Sequence, residues 1–196
     1  ATLSHRLKTE TAAQHERMHH LMERCGPFAS RESYARFVAA QYLFQRDVEH
    51  LFSDAAVKAA VPDLDLRGRQ AASLADLADL GATAPRVPLG TLAVSMPAAL
   101  GWLYVSEGST LGAAFLLKEA KAKLAVDENF GARNLAAYPE GRAASWRAFV
   151  HALDTAAYTA SEQDEIVAGA NAAYDRFGSL LEGCFATRAA EALHAS

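Results

Sequence analysis

Apolar residues recur at helical spacing along most of the 196-residue chain, and no segment shows the alternation typical of a half-buried strand. The pattern predicts helices over residues 4–24, 30–52, 55–60, 64–80, 98–124, 142–154 and 161–185. A proline-containing connector over 81–97 and an irregular loop over 127–141 interrupt the series. We therefore predict an all-α fold in one domain, 1–196, with a frayed tail after Ala186.

Local signals mark three of the predicted helix ends. Gly26-Pro27 is a typical stop after the first helix, and Ser30 can cap the second. Ser161-Glu162-Gln163-Asp164 resembles a capping box, so we place the start of the last helix there.

Composition and charge argue against nucleic-acid-binding and membrane-spanning proteins. The net charge of −4, with no long run of lysine or arginine, argues against a nucleic-acid partner. The amino end has no apolar core like that of a secretory signal, and polar residues interrupt the most apolar stretch, 96–118, so no membrane span is expected. Cys25 and Cys184 are far apart in sequence and are expected to be free, buried thiols. A cytoplasmic monomer is the default expectation.

The predicted helix 98–124 carries two glycines in its interior. Gly108 and Gly112 each cost about 0.5–1 kcal/mol relative to alanine at such positions. Because they lie one turn apart, they form a single small face that something can approach closely. Two explanations stay open: another helix packs on this face, or a flat ligand lies across it.

Three of the seven histidines cluster on the first predicted helix, at His15, His19 and His20. His15 and His19 are four residues apart and share a helix face, so a metal pair is geometrically possible, although a solvated histidine surface is the commoner outcome. This cluster by itself does not supply the two paired carboxylate–histidine repeats of a di-iron bundle. We do not expect a mononuclear zinc or di-iron site.

Lys8 precedes His15 by seven residues. On one continuous helix the two would share a face and lie about 10 Å apart along the axis. That distance is close to the separation between a haem iron and the propionates at the rim of the macrocycle. An imidazole ligand and an ammonium partner would therefore suit haem together.

An ordered set of motifs, from about Arg6 to Phe185, resembles the bacterial haem oxygenases. The motifs are Gln14-His15-Glu16, Pro27-Phe28-Ala29-Ser30, the run from Phe37 to Gln45, the run from Gly101 to Lys118, Asn129-Phe130-Gly131-Ala132-Arg133, Gly141-Arg142, and Trp146-Arg147-Ala148-Phe149-Val150. The resemblance implies a compact helical fold that holds haem between a proximal and a distal helix. It also implies conversion of haem to biliverdin, CO and iron with O2 and external electrons, supplied by a ferredoxin or a flavin reductase.

The resemblance assigns roles to individual residues. His15 falls at the family's proximal iron ligand, and the helix with Gly108 and Gly112 becomes the distal one, with Ser109 between them. A distal water network would involve three further positions, Gln41, Gln45 and Trp146. The two glutamines can equally be solvated, and the tryptophan can be ordinary core.

Lys8 and Tyr104 fall where family members anchor the haem propionates. Phe177 is a candidate for lining the pocket, although an apolar residue on the last helix is more often core. Glu119 follows Lys118, so no second lysine is available there to add a propionate contact. With both anchors present, we expect cleavage at the α-meso carbon.

Two other functions stay open on the sequence. A haem-binding or haem-trafficking protein would share His15, Lys8 and the glycines but would hold haem unchanged under reductant and O2. A helical interaction protein would use the glycines for packing and would take up no stoichiometric haem. The ordered motifs favour the enzyme.

Overall fold

The computed structural model describes residues 1–186 in full and 187–195 as helical backbone. The described residues form eight α-helices: α1 (Leu3–Glu10), α2 (Ala12–Cys25), α3 (Arg31–His50), α4 (Ala55–Ala60), α5 (Gln70–Asp79), α6 (Ala99–Leu124), α7 (Arg142–Thr155) and α8 (Ala160–Ala195). Short 3-10 turns cover Leu51–Ser53, Leu64–Leu66 and Arg133–Ala136. The predicted all-α class is confirmed. The frayed tail predicted after Ala186 concerns residues outside those described in full.

The predicted first helix is divided at Thr11. This residue has φ −111° and ψ 4°, and its buried hydroxyl donates to the carbonyl of Leu7 at 2.6 Å. A threonine bonded back to the carbonyl four residues earlier bends a helix. Lys8 and His15 therefore belong to different helices, and the prediction of one continuous helix carrying both was wrong.

The predicted helix 64–80 is also divided, because α5 begins only at Gln70. The carboxylate of Glu49, on α3, accepts hydrogen bonds from the backbone amides of Arg69 and Gln70 at 3.1 and 2.6 Å. A side chain that is distant in sequence thus caps the helix, a partner that local patterns do not reveal.

The capping box of α8 lies two residues before the predicted one. The amide of Glu162 donates to the hydroxyl of Thr159 at 3.1 Å, and the amide of Thr159 donates to the carboxylate of Glu162 at 2.9 Å. This reciprocal pair satisfies two orphan donors at the helix start. Ser161 lies inside the first turn instead of capping it.

The core lies where α3, α6 and α8 meet, and it contains fully buried residues from each helix, such as Phe37, Leu103 and Ile166. Helices α6 and α8 approach most closely at two glycines. A Cβ on Gly101 would clash with the backbone of Ile166 and Ala170, and one on Gly169 would clash with the carbonyl of Ala98. Glycine at both positions is thus a packing requirement.

Two buried acids hold the irregular segments in place. Asp47 accepts hydrogen bonds from the Arg176 side chain at 2.7 Å and from the Gly90 amide at 2.8 Å, which secures the connector 81–97. Asp76 accepts from the amides of Arg133 and Asn134, both at 2.9 Å, which secures the loop 127–141. Among the described residues, no helix combines the length and the apolar character needed to cross a bilayer.

Candidate functional site

His15 lies on an exposed face of α2, beside α8. Its ring centroid is 4.6 Å from that of His19 and 6.4 Å from that of Tyr174, which belongs to α8. Partial burial lowers the pKa of the His15 imidazole, and the neighbouring His19 lowers it further. The neutral form is therefore favoured at pH 7, and neutral imidazole is the form that binds a metal.

Tyr174 links the histidine face to α6. Burial raises the pKa of Tyr174 to about 12, and electrostatic interaction with Tyr104 contributes to the shift. Tyr104 is half-buried, and its ring lies 5.5 Å from that of Trp146 between centroids. It precedes Gly108 by one helical turn. The structure thus places His15 beside Tyr174 of α8 and Trp146 beside Tyr104 of α6.

The glycine face of α6 is open. A Cβ on Gly108 would meet only the ring of Trp146, at an ordinary 3.5 Å, and one on Gly112 would meet no described atom within 4 Å. Leu111 and Phe115 lie beside it with 36% and 78% of their surfaces exposed. The close helix packing that could have explained these glycines occurs at Gly101 and Gly169 instead. The structure thus supports close helix packing at neither Gly108 nor Gly112, and the second explanation offered by the sequence, a flat ligand across this face, stays a prediction.

A buried polar network lies on the inner side of the glycine face. Gln45, which is fully buried, donates from its amide nitrogen to the Ser106 hydroxyl at 3.0 Å. Arg69 donates from Nη2 to the Ser106 carbonyl and to the Ser109 hydroxyl, both at 3.2 Å. Within the described part of the chain, Gln45 Oε1 and the Nε and Nη1 atoms of Arg69 have no hydrogen-bond partner.

Comparison with known proteins decides the family. A protein-family model described as heme oxygenase matches residues 1–183, which is most of the chain. The chain belongs to the haem oxygenase family. It is 50% identical to Heme oxygenase PigA of Pseudomonas aeruginosa over 188 residues, or 93% of each chain.

Solved structures agree with this assignment. The structure of the NO- and CO-bound heme oxygenase from Neisseria meningitidis matches with a TM-score of 0.88 and 36% identity, covering 95% of this chain and 93% of that one. Heme oxygenase 2 from Chlamydomonas reinhardtii, solved without heme, matches with a TM-score of 0.78 over 93% and 97% of the two chains. At 19% identity, that second likeness shows the fold alone.

The remaining predicted site residues of this haem oxygenase occupy different surroundings. Lys8 is exposed on α1, and Gln41 is half-buried on α3, one turn before Gln45. Ser109 is exposed, and its hydroxyl donates to the Ser106 carbonyl at 2.6 Å. Phe177 packs edge-on against Phe44, with ring centroids 5.5 Å apart, and so joins the margin of the core.

Sequence reasoning missed a buried cluster next to the glycine face. Glu107 pairs with Arg67 at 2.9 Å, with 3% of each side chain exposed, and it accepts a hydrogen bond from the Tyr138 hydroxyl at 2.8 Å. Burial and Glu107 together raise the pKa of Tyr138. A signal was available, because a carboxylate within the most apolar stretch of a chain requires a buried partner. Nothing local identified Arg67 as that partner.

The histidine cluster also contains a motif that the sequence-based expectation overlooked. His15-Glu16-Arg17-Met18-His19 fits the His-Glu-x-x-His pattern of helical metal sites, so the motif itself does not argue against a metal pair. Among the residues described, no group of three or more histidine, cysteine, aspartate or glutamate side chains is placed to hold a metal ion. Cys25 and Cys184 are free thiols, as predicted, but only Cys184 is buried, because Cys25 lies at the partly exposed end of α2.

Proposed function

We propose that this haem oxygenase cleaves haem at the α-meso carbon to give biliverdin, CO and iron, with O2 and electrons from a ferredoxin or a flavin reductase. The observations that support the proposal are an open glycine face on α6 and a histidine on α2 that lies beside a tyrosine of α8. His15 lies next to Tyr174, and Tyr174 interacts with Tyr104, one turn from Gly108. The chain would act as a monomer with a single domain.

His15 would hold the iron. Its lowered pKa keeps an unprotonated nitrogen available at neutral pH, and its exposed ring is accessible to an incoming macrocycle. Bound haem would supply both the ring to be cleaved and an iron that binds O2. His19 and His20 are also exposed, but the resemblance to the family favours His15.

Gly108 and Gly112 would let the backbone of α6 lie against the macrocycle. A side chain at either position would stand between the helix and the ring, since the Gly112 face is open and only Trp146 borders Gly108. A close backbone also restricts the space above the iron, which orients a diatomic ligand. Leu111 and Phe115 would cover further apolar surface of the ring.

Ordered water on the inner side of that space would be held by four of the predicted residues and by Arg69. The four predicted residues are Gln41, Gln45, Ser109 and Trp146. The unpartnered oxygen of Gln45 can accept a hydrogen bond from water, and the unpartnered nitrogens of Arg69 can donate hydrogen bonds to water. Buried groups of this kind are the usual partners of ordered water. Water held in this way can deliver protons without a direct side-chain acid.

Lys8 and Tyr104 would anchor the propionates, and Phe177 would contribute to the pocket wall. An ammonium and a phenolic hydroxyl both donate hydrogen bonds to carboxylates, and these contacts determine the rotation of the ring about its axis. That rotation determines which meso carbon lies closest to the bound oxygen. We therefore expect the α isomer.

Reconstitution with one equivalent of haem tests the whole proposal. Under air and reductant, the Soret band should disappear as a bilin absorption grows, and pigment chromatography should give mainly α-biliverdin. A persistent Soret band would contradict turnover by this route. Mainly β- or δ-biliverdin would contradict the assigned anchors while leaving the haem oxygenase activity intact.

A further inference from the structure

His15 has a histidine neighbour on α2, His19, that the proposed function does not use. His15 and His19 lie one turn apart, with ring centroids 4.6 Å apart and an angle of 67° between their planes. Both side chains are exposed, so a hydrated ion can reach them. They are also the two histidines of the His-Glu-x-x-His segment.

We propose that the haem-free protein binds a divalent copper or nickel ion between His15 and His19, and that the bound ion excludes haem. The exclusion rests on the proposed function, which gives His15 to the haem iron. The metal site itself does not depend on that function.

The spacing of the rings permits chelation, and the ligand type indicates the metal. With a metal–nitrogen bond of about 2.1 Å, an ion would lie about 3.2 Å from the centroid of each ring. Two centroids 4.6 Å apart then subtend an angle of about 90° at the ion. Neighbouring ligands make this angle in square-planar and octahedral coordination, and helical histidine pairs of this spacing also bind zinc. Square-planar sites with nitrogen ligands are typical of Cu(II) and Ni(II), and Cu(II) binds most tightly in the divalent series.

The other groups around the pair do not complete a hydrolytic zinc site. Glu16, which would be the general base of a helical zinc protease, pairs with His20 at 3.1 Å. Asp175, on α8, accepts hydrogen bonds from Arg17 at 2.7 Å and from Gln14 at 2.9 Å. Water would therefore fill the remaining coordination positions. Each ring must turn one nitrogen toward the shared point, a motion that exposed side chains make within nanoseconds.

Titration of the haem-free chain with CuCl2 or NiCl2 tests the site. Calorimetry should give one site per chain, and the copper spectrum in electron paramagnetic resonance should show two coupled nitrogens. His15→Ala and His19→Ala should each weaken binding at least about tenfold, because a chelate is reduced to a single ligand. His20→Ala, which removes the neighbouring pair with Glu16, should bind copper like the wild type. Circular dichroism checks that each variant is folded.

Equal copper binding by the wild type and His19→Ala, or zinc binding tighter than copper, would overturn the proposal. Exclusion is tested by adding haem after one equivalent of copper. Uptake should be blocked in the wild type and restored by a chelator, while His19→Ala should take up haem with or without copper. If copper fails to bind but His15→Ala still loses haem ligation, only this inference fails. If copper binds but His15→Ala ligates haem normally, the proposed function fails at His15.

Discussion

Arg67 and Glu107 form a buried ion pair of 2.9 Å, and Glu107 immediately precedes Gly108 on α6. Tyr138 donates to the same carboxylate from the loop 127–141, with a left-handed φ of 53°. The guanidinium of Arg67 also donates to the carbonyl of Pro62 at 2.8 Å. Two separate segments of the chain, 62–67 and 127–141, are thereby joined to α6 beside its open glycine face.

Removing one partner of this pair should destabilise the haem-free protein. Glu107→Ala leaves the Arg67 charge buried without compensation, a loss of about 3–5 kcal/mol in the free energy of unfolding. Urea denaturation followed by circular dichroism measures it. Glu119→Ala removes an exposed pair with Lys123, so that control should lose only about 0–1 kcal/mol. Comparable losses in the two variants would contradict a structural role for the buried pair.

The glycines of α6 should respond to substitution in opposite ways. Gly112→Ala should stabilise the haem-free protein by about 0.5–1 kcal/mol, because its Cβ meets open space and alanine favours helix. Gly101→Ala should destabilise it by at least about 1–3 kcal/mol, since the Cβ clashes with the backbone of α8. Thermal unfolding distinguishes the two.

A larger side chain on the open face tests ligand approach directly. Gly112→Phe should fold like the wild type yet lose haem uptake, because the ring would occupy the surface that we assign to the macrocycle. Haem titration followed at the Soret band measures the loss. Normal haem uptake together with normal turnover would show that haem binds on another face of the protein.

His15→Ala should abolish the imidazole-ligated ferric haem spectrum and most turnover. His19→Ala and His20→Ala should retain both, because they leave the proposed ligand in place. Absorption spectra of the three reconstituted variants provide the comparison. If His19→Ala or His20→Ala loses haem ligation while His15→Ala keeps it, the iron ligand is the histidine removed in that variant.

Lys8→Ala and Tyr104→Phe should each alter the distribution of biliverdin isomers more than the rate of haem degradation, because they change the orientation of the bound ring. Chromatography of the pigment measures the distribution. Lys58→Ala, on the exposed surface of α4, serves as the matched control. An unchanged isomer pattern in both test variants would remove them from the anchoring role.

Asp79 should make stability depend on pH. The Gly131 amide donates to its carboxylate, and Arg133 pairs with it, so its pKa is lowered in the folded protein. Its contribution is therefore complete above the ordinary aspartate pKa of about 4 and is lost as the pH falls through the lower folded value. Asp79→Asn should lose less stability than the wild type between about pH 5 and 3. Urea midpoints that fall in parallel for both proteins would contradict this.

Local patterns were sufficient for the class and for most of the elements. Hydrophobic periodicity predicted α3, α4, α6 and α7 closely, because their caps and their glycine and proline breaks lie within a few residues of the helices themselves. The motif set identified the family, which comparison confirms. The same patterns failed at Thr11 and before Gln70, where a side-chain hydrogen bond and a distant carboxylate divide what looks like continuous helix.

The sequence by itself determined an all-α haem oxygenase with glycines inside its longest apolar helix and a histidine near its amino end. Only the tertiary structure decided that Gly101 serves packing while Gly112 stays open, since that difference depends on where α8 crosses α6. It alone placed Arg67 and Arg69 inside the protein, beside Glu107 and Ser106. Helical periodicity is a property of neighbours along the chain, whereas burial and pairing depend on contacts between residues some 40 positions apart.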